Sequence, residues 1–340
     1  MKRRLTVFLL VAILISFTIF HTSSTSAFSE FSRRTTSATS DSLSEVSTDY
    51  FTQHSPIVIN SNQDFEEFSL SGTGVQENPY VIEKLHIVTT GTQNSSIKVS
   101  YTSVYFIIRD CYIETDWVGI EILHVAEGTV RIMNNTCISN SGDGAGIVVW
   151  GVQNCTLVEN RCSNLSQGIH LNEAGRCSIA SNNITDNTYQ GINIRYSHSN
   201  IITGNIITDS SQHGVALVGT SSHNVIHHNN FVDNGKEDTY RIDGEPRGAL
   251  TSQGFDEGYN NTWYDAAKEE GNWWSDYSGS GSYVLDGSSN TIDPYPNAGA
   301  DRPQSLGLDL VQIAVVVSFI GGLVILLVWW LLRSKSSGIS

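Results

Sequence analysis

The sequence predicts an all-β chain, a right-handed parallel β-helix of about seven or eight rungs, from three observations. The composition favours strands and turns over exposed helix: 16% of the 340 residues are charged, while Gly numbers 29 and Asn 26. A Gly followed by a β-branched residue recurs at Gly119, Gly146, Gly168, Gly191 and Gly214, in steps of 27, 22, 23 and 23. Between these glycines, the pattern apolar-x-x-Asn-x-apolar recurs at Asn135, Asn160, Asn182, Asn205 and Asn229.

Each Gly opens an alternating run: Gly-Ile-Glu-Ile, Gly-Ile-Val-Val, Gly-Ile-His-Leu, Gly-Ile-Asn-Ile and Gly-Val-Ala-Leu. The first and third residues after Gly are always apolar, the period of a strand with one buried face. No single repeat of this length can bury that face alone, so rungs about 4.8 Å apart must stack. Asn suits a corner because it tolerates left-handed backbone and can bond to its copies up the stack. Gly suits the other corner because it lacks a Cβ. Cys111 takes the Asn place in an earlier copy of the pattern.

Solenoid ends need closure. Residues 61–68 form a short amphipathic piece fit to lid the first rung, and the aromatic stretch 263–296 is expected to cap the last. Lys2-Arg3-Arg4, an apolar run and small residues to Ala27 have the layout of a secretory signal peptide. Residues 311–332 carry no charge and are followed by Arg333 and Lys335, which predicts one membrane span with the body outside. The expected order is therefore signal peptide 1–27, Ser/Thr-rich leader 28–54, β-helix 55–240, cap 241–300, linker 301–310, span 311–332 and cytoplasmic tail 333–340. Six N-x-Ser/Thr sequons, from Asn94 to Asn260, suit an extracytoplasmic glycoprotein surface. The net charge of −15 repels phosphate backbones and excludes nucleic acid as a partner.

The opening segment Gly72-x-Gly74…Pro79-Tyr80-Val81-Ile82, the Gly-Ile and Asn-x-Ile rungs, and the blocks at 260–265, 271–277 and 293–296 carry a resemblance. The chain resembles the NosD-type periplasmic β-helix family, named after a copper-binding protein of nitrous oxide reductase maturation. It is most similar to that family's signal-bearing, C-terminally anchored archaeal members. The resemblance spans about residues 56–296 and implies the fold strongly. Its implications for function diverge, since relatives include proteins linked to metal insertion as well as polysaccharide lyases and epimerases.

Copper, the cofactor that the family name implies, directs attention to His198, His223, His227 and His228, because imidazole suits Cu(II). The scarcity of Met (two in the chain) excludes a Met-rich Cu(I) trap. Calcium is the weaker expectation, resting on Asp256, Glu257, Asp265, Glu269, Glu270 and Asp276 without a recognised loop spacing. Cys155 and Cys177 share a column on neighbouring rungs, within the Cα range of a disulfide. The outward positions two and four residues after Gly supply Trp150, His170, Asn172, Asn193 and Arg195, side chains able to stack on a sugar ring and grip its hydroxyls. No carboxylate pair accompanies them. The function read from the residues is thus a surface binding or scaffold module for a glycan or another cell-envelope partner. Copper delivery is the first alternative, and a polysaccharide lyase or epimerase the second.

Overall fold

The computed structural model describes residues 51–298, except 69, 92 and 236–249. The expected signal peptide, most of the leader, the linker, the membrane span and the tail lie outside the described residues. Among the described residues no helix is long and apolar enough to cross a membrane.

The chain winds into a parallel β-helix of about eight turns. Each turn visits three sheets in order. The first sheet has ten strands, from Thr52–His54 to Asn297–Ala298; the second has eight, from Ile57–Ile59 to Gly254–Asp256; the third has seven, from Tyr80–Glu83 to Val225–His227. Stacking in register makes each inward position a column. In the second sheet Ile120, Ile147, Ile169, Ile192 and Val215 line up, and in the first Ile113, Cys137, Cys162, Ile184, Ile207, Phe231 and Trp274 do so. All are buried, and each large aliphatic side chain contributes about 1.5–3 kcal/mol on burial.

The repeated glycines are required by space. A Cβ at Gly146 would lie 2.6 Å from the Gly168 carbonyl oxygen, and one at Gly191 would lie 2.7 Å from that of Gly214. The repeated asparagines bond to their copies as expected, but they do not take the left-handed backbone. The left-handed residue at that corner is the preceding one (Asn134, Glu159, Ser181, His228), while the Asn itself builds a ladder. Asn135 Nδ2 donates to Asn160 Oδ1, Asn160 to Asn182, Asn182 to Asn205, Asn205 to Asn229 and Asn229 to Asn272, all at 2.9–3.0 Å. Each Oδ1 also accepts the backbone N–H of the preceding ladder Asn.

Such a ladder is polar along the stack and must end on an acceptor. It ends on Asp293, whose Oδ2 accepts Asn272 N–H at 2.8 Å and Trp274 Nε1–H at 3.0 Å. The other two corners follow the same plan. Asn200, Asn224 and Asn261 lead to Asp256, which also takes Trp263 Nε1–H; Asn234 and Gln253 lead to Asp276, which also takes the Tyr283 hydroxyl.

The region expected to be only a cap therefore continues the solenoid. Gly254–Asp256 pairs with the second sheet and Trp273–Trp274 with the first, past the expected limit at 240. The expected aromatic core is present: Trp274 is sandwiched between Phe231 (4.2 Å) and Tyr283 (4.0 Å). At the other end Phe65, on the short helix Asp64–Glu67, is buried against Tyr80 and Phe106.

The bridge expected between Cys155 and Cys177 is absent, and all five cysteines are free thiols. Both stand in the second ladder's column, where Cys155 N–H donates to Cys177 Sγ at 3.4 Å and Cys177 N–H to Asn200 Oδ1 at 2.9 Å. The sulfur of Cys177 acts as a ladder acceptor in an asparagine's place.

The Asn182 side chain makes five hydrogen bonds to the ladder and the backbone. At about 1 kcal/mol each, Asn182→Ala should lower unfolding free energy by about 3–5 kcal/mol. Denaturant melts of the two proteins check this, and a loss below ~1 kcal/mol would show that the ladder is not stabilising.

Candidate functional site

The outward face of the second sheet gathers the five side chains that the Gly repeat singles out. His170 lies beside Asn193 on the next rung, and Trp150, Asn172 and Arg195 form a parallel column. Gln167, at the start of the His170 strand, donates through Nε2 to Gln190 Oε1 at 2.9 Å, and Gln190 Nε2 donates to Gln212. Two successive rungs are thus polar, with Val148 before them and Ala216 after.

Three atoms of this patch are buried without a hydrogen-bond partner among the described residues: His170 Nε2, Asn172 Oδ1 and Asn193 Oδ1. Asn193 is only 9% exposed. Burial, aided by the Arg195 charge, pushes the His170 imidazole down to about 4, so it is neutral at ordinary pH. Arg195 is exposed; its guanidinium carbon lies 5.0 Å from the centre of the Tyr196 ring.

Sequence periodicity missed the rims of this face. Beside the expected Trp150, the rings of Tyr101, Trp117, Tyr189 and Tyr196 are exposed and border the second sheet. Tyr101, His124 and Tyr196 share the corner column after the strands, with Tyr101 stacked on His124 at 5.6 Å and His124 near Trp150 at 6.2 Å. The residues beneath the rings explain their poses: a Cβ at Gly151 would strike the His124 ring, and one at Gly219 would strike the Tyr196 ring. Gly151 and Gly219 occupy this corner column themselves, which is the signal a search for rim residues could have used.

The four histidines do not form one cluster. His198 aligns with Ser222, and His223 turns to Tyr259 and Asn260. His227 and His228, by contrast, bring their Nδ1 atoms to 2.5 Å, and with Asp265 they form a set whose ligand atoms all lie within 4.8 Å of one another. His228 Nε2 donates to Glu270 Oε2 at 2.7 Å, which orients the ring with Nδ1 towards His227. Two imidazole nitrogens and a carboxylate make a donor set suited to Cu(II) or Zn²⁺. The acidic group expected for calcium is dispersed: Asp256 and Asp276 end ladders, Glu257 accepts Gly219 N–H, and Glu270 holds His228.

A family model described as "Periplasmic copper-binding protein (NosD)" matches residues 40–279. The chain belongs to the NosD family. That family is described as periplasmic, in agreement with an extracytoplasmic body. No curated protein matches this NosD-family chain. Among solved structures it is similar to a mutant of the periplasmic alginate epimerase AlgG, at 15% identity and TM-score 0.31, covering 53% of this chain and 59% of the other. The Azotobacter vinelandii mannuronan C-5 epimerase AlgE4 A-module matches at 12% identity and TM-score 0.29, covering 54% and 60%. The chain spans less than two thirds of either structure.

His170 gives the face a pH signature. Its pKa is about 4 in the folded state against 6.5 for the free side chain, so the unfolded chain binds more protons between these values. Stability should therefore be lost as pH falls from about 6.5 towards 4, by about 3 kcal/mol from this group. Denaturant melts across that range should show the loss in wild type, with a correspondingly smaller slope in His170→Gln. Equal slopes would place the imidazole in solvent.

Proposed function

We propose that this NosD-family protein is an extracytoplasmic binding module whose ligand is a carbohydrate chain laid along the outward face of the second sheet. The observation that carries this reading is the set of buried, unpartnered atoms His170 Nε2, Asn172 Oδ1 and Asn193 Oδ1 on adjoining rungs. Leaving such atoms unpaired costs about 1–3 kcal/mol each, and sugar hydroxyls are the groups that would satisfy them. Exposed rings on both rims supply stacking surfaces for the apolar faces of sugars. An uncharged run at 311–332 would hold the body at a membrane surface, where such polymers are met.

A panel of soluble neutral and acidic polysaccharides, screened by affinity electrophoresis with the full chain, tests the proposal. At least one polymer should retard the wild type, and Trp150→Ala or Asn193→Ala should weaken that binding about tenfold, the loss of one stacking or hydrogen-bonding contact. Retardation by none of them, or equally by both variants and wild type, would sink the reading.

A second reading is favoured by the His227–His228–Asp265 set. Its donor chemistry fits the copper of the family description, and its three ligand atoms lie within 4.8 Å of one another. Titration with Cu(II) should give one site that is lost in His227→Ala/His228→Ala and kept in His198→Ala/His223→Ala. The reverse pattern, or no stoichiometric site, would remove copper handling from consideration.

A further inference from the structure

The second-sheet face pairs two kinds of unmet demand. Asn172 Oδ1 and Asn193 Oδ1 are acceptors without donors, whereas Arg195 is a donor without an acid. Among the described residues Arg195 forms no ion pair. Its polar contact is the Tyr196 hydroxyl at 3.4 Å, and its guanidinium lies near that ring. The face's other cation, Lys98, is neutralised by Glu121 at 3.3 Å, and that carboxylate also accepts from Ser95. Of the remaining acids, Asp256 is buried at a ladder end and Glu257 is engaged by Gly219 N–H. Glu173 stands at the rim, where its backbone N–H donates to the Arg195 carbonyl; its carboxylate makes no ion pair among the described residues. On the strands Gln167–Asn172 and Ile192–Arg195 the one further titratable group is His170, and the Tyr196 phenol lies at the rim beside Arg195. In a chain of net charge −15, this patch of amides, a histidine and an unpaired guanidinium stands apart.

We infer that the ligand is an anionic polysaccharide of the uronate type, with Arg195 gripping a sugar carboxylate while Asn172, Asn193 and His170 take hydroxyls of the same or adjoining residues. The planar guanidinium offers two parallel N–H donors that match a carboxylate, and this gives the contact direction as well as charge. A polyanion without hydroxyls would satisfy Arg195 but leave both Asn acceptors unmet. A neutral glycan would satisfy the acceptors but leave the guanidinium unpaired. A sugar acid meets both demands. The face is uncharged apart from Arg195 over its central rungs, so the carboxylate of one sugar in register suffices to orient the chain.

This inference rests on the second-sheet binding reading, and the experiment separates the two. Binding of the full chain is measured for polygalacturonate and polymannuronate, for their carboxyl-reduced forms with the same linkages, and for a sulfated neutral polymer, each at low and high salt. Arg195→Gln is run beside wild type, with a thermal melt to confirm the fold, since the side chain is exposed and outside every ladder. Wild type should bind a carboxylated polymer about tenfold or more tightly than its reduced form, with affinity falling as salt rises. Arg195→Gln should erase that difference and bind both forms alike. Equal wild-type binding to charged and reduced polymers, or unchanged discrimination in Arg195→Gln, overturns the inference while the glycan reading stands. Preference for the sulfated polymer overturns the carboxylate assignment. Binding to none of the polymers removes both.

Discussion

The fold depends on how its corners satisfy buried backbone groups. Within each sheet, strands pair rung to rung, but at a bend the N–H groups turn away from their neighbours and need other partners. The ladder residues supply them. Asn160, for example, accepts Asn135 N–H and Nδ2–H on one side and donates to Asn182 Oδ1 on the other, while its Nδ2 also donates to Ile132 O on the preceding rung. Because every link runs in one direction, the last acceptor in each ladder must be a group that donates nothing. A carboxylate meets that requirement, and Asp293, Asp256 and Asp276 provide it at the three corners. Trp274, Trp263 and Tyr283 then do two things at once: their rings cover the open end of the core, and their polar hydrogens fill the remaining valence of those acids.

Fixed corners fix the register, and fixed register frees the outward face. Once Ile147, Ile169 and Ile192 must align inside, the residues beside them align outside whatever their identity. Stability places little demand on His170, Asn172, Asn193 or Arg195. The solenoid would be better served by satisfied or apolar side chains there, as Val148 and Ala216 illustrate on the flanking rungs. That the two central rungs carry unpaired polar atoms is thus a cost at a position where folding does not require it.

The repeat, the inward columns, the Gly and Asn positions and the outward quintet were legible because each depends on one period that the sequence displays. Features that depend on the corners were less legible. Spacing between rungs varies from 22 to 27 residues, and the extra residues fall in the bends, so side chains there shift relative to one another. The offset between His198 and His223 is legible from the Asn200 and Asn224 alignment, which sets His198 opposite Ser222; what the corners hide is that the adjoining His227 and His228 meet Asp265. The rim rings of Tyr101, His124 and Tyr196 lie one position past the Gly-based pattern and so went unread. The acids near the end looked like a cation site for a related reason: the irregular last rungs hide the fact that Asp256 and Asp276 continue columns begun by asparagines.

Charge adds a constraint on any ligand of the second sheet. At physiological ionic strength the field of a distant charge decays over about 8 Å, less than two rungs of the stack. The net charge of −15 therefore slows the approach of a polyanion without deciding its fit. What decides fit is the handful of groups in contact, and over the central rungs these are Gln167, Gln190, Asn172, Asn193, the uncharged His170 and Arg195. Had His170 been protonated, a second cation would have made the patch a general anion trap. Its neutrality, imposed by burial and by Arg195 itself, leaves one charged contact among several hydroxyl-seeking ones. Selectivity then comes from geometry along the stack: a carboxylate can pair with Arg195 only when the adjoining sugar hydroxyls fall opposite Asn193 and Asn172.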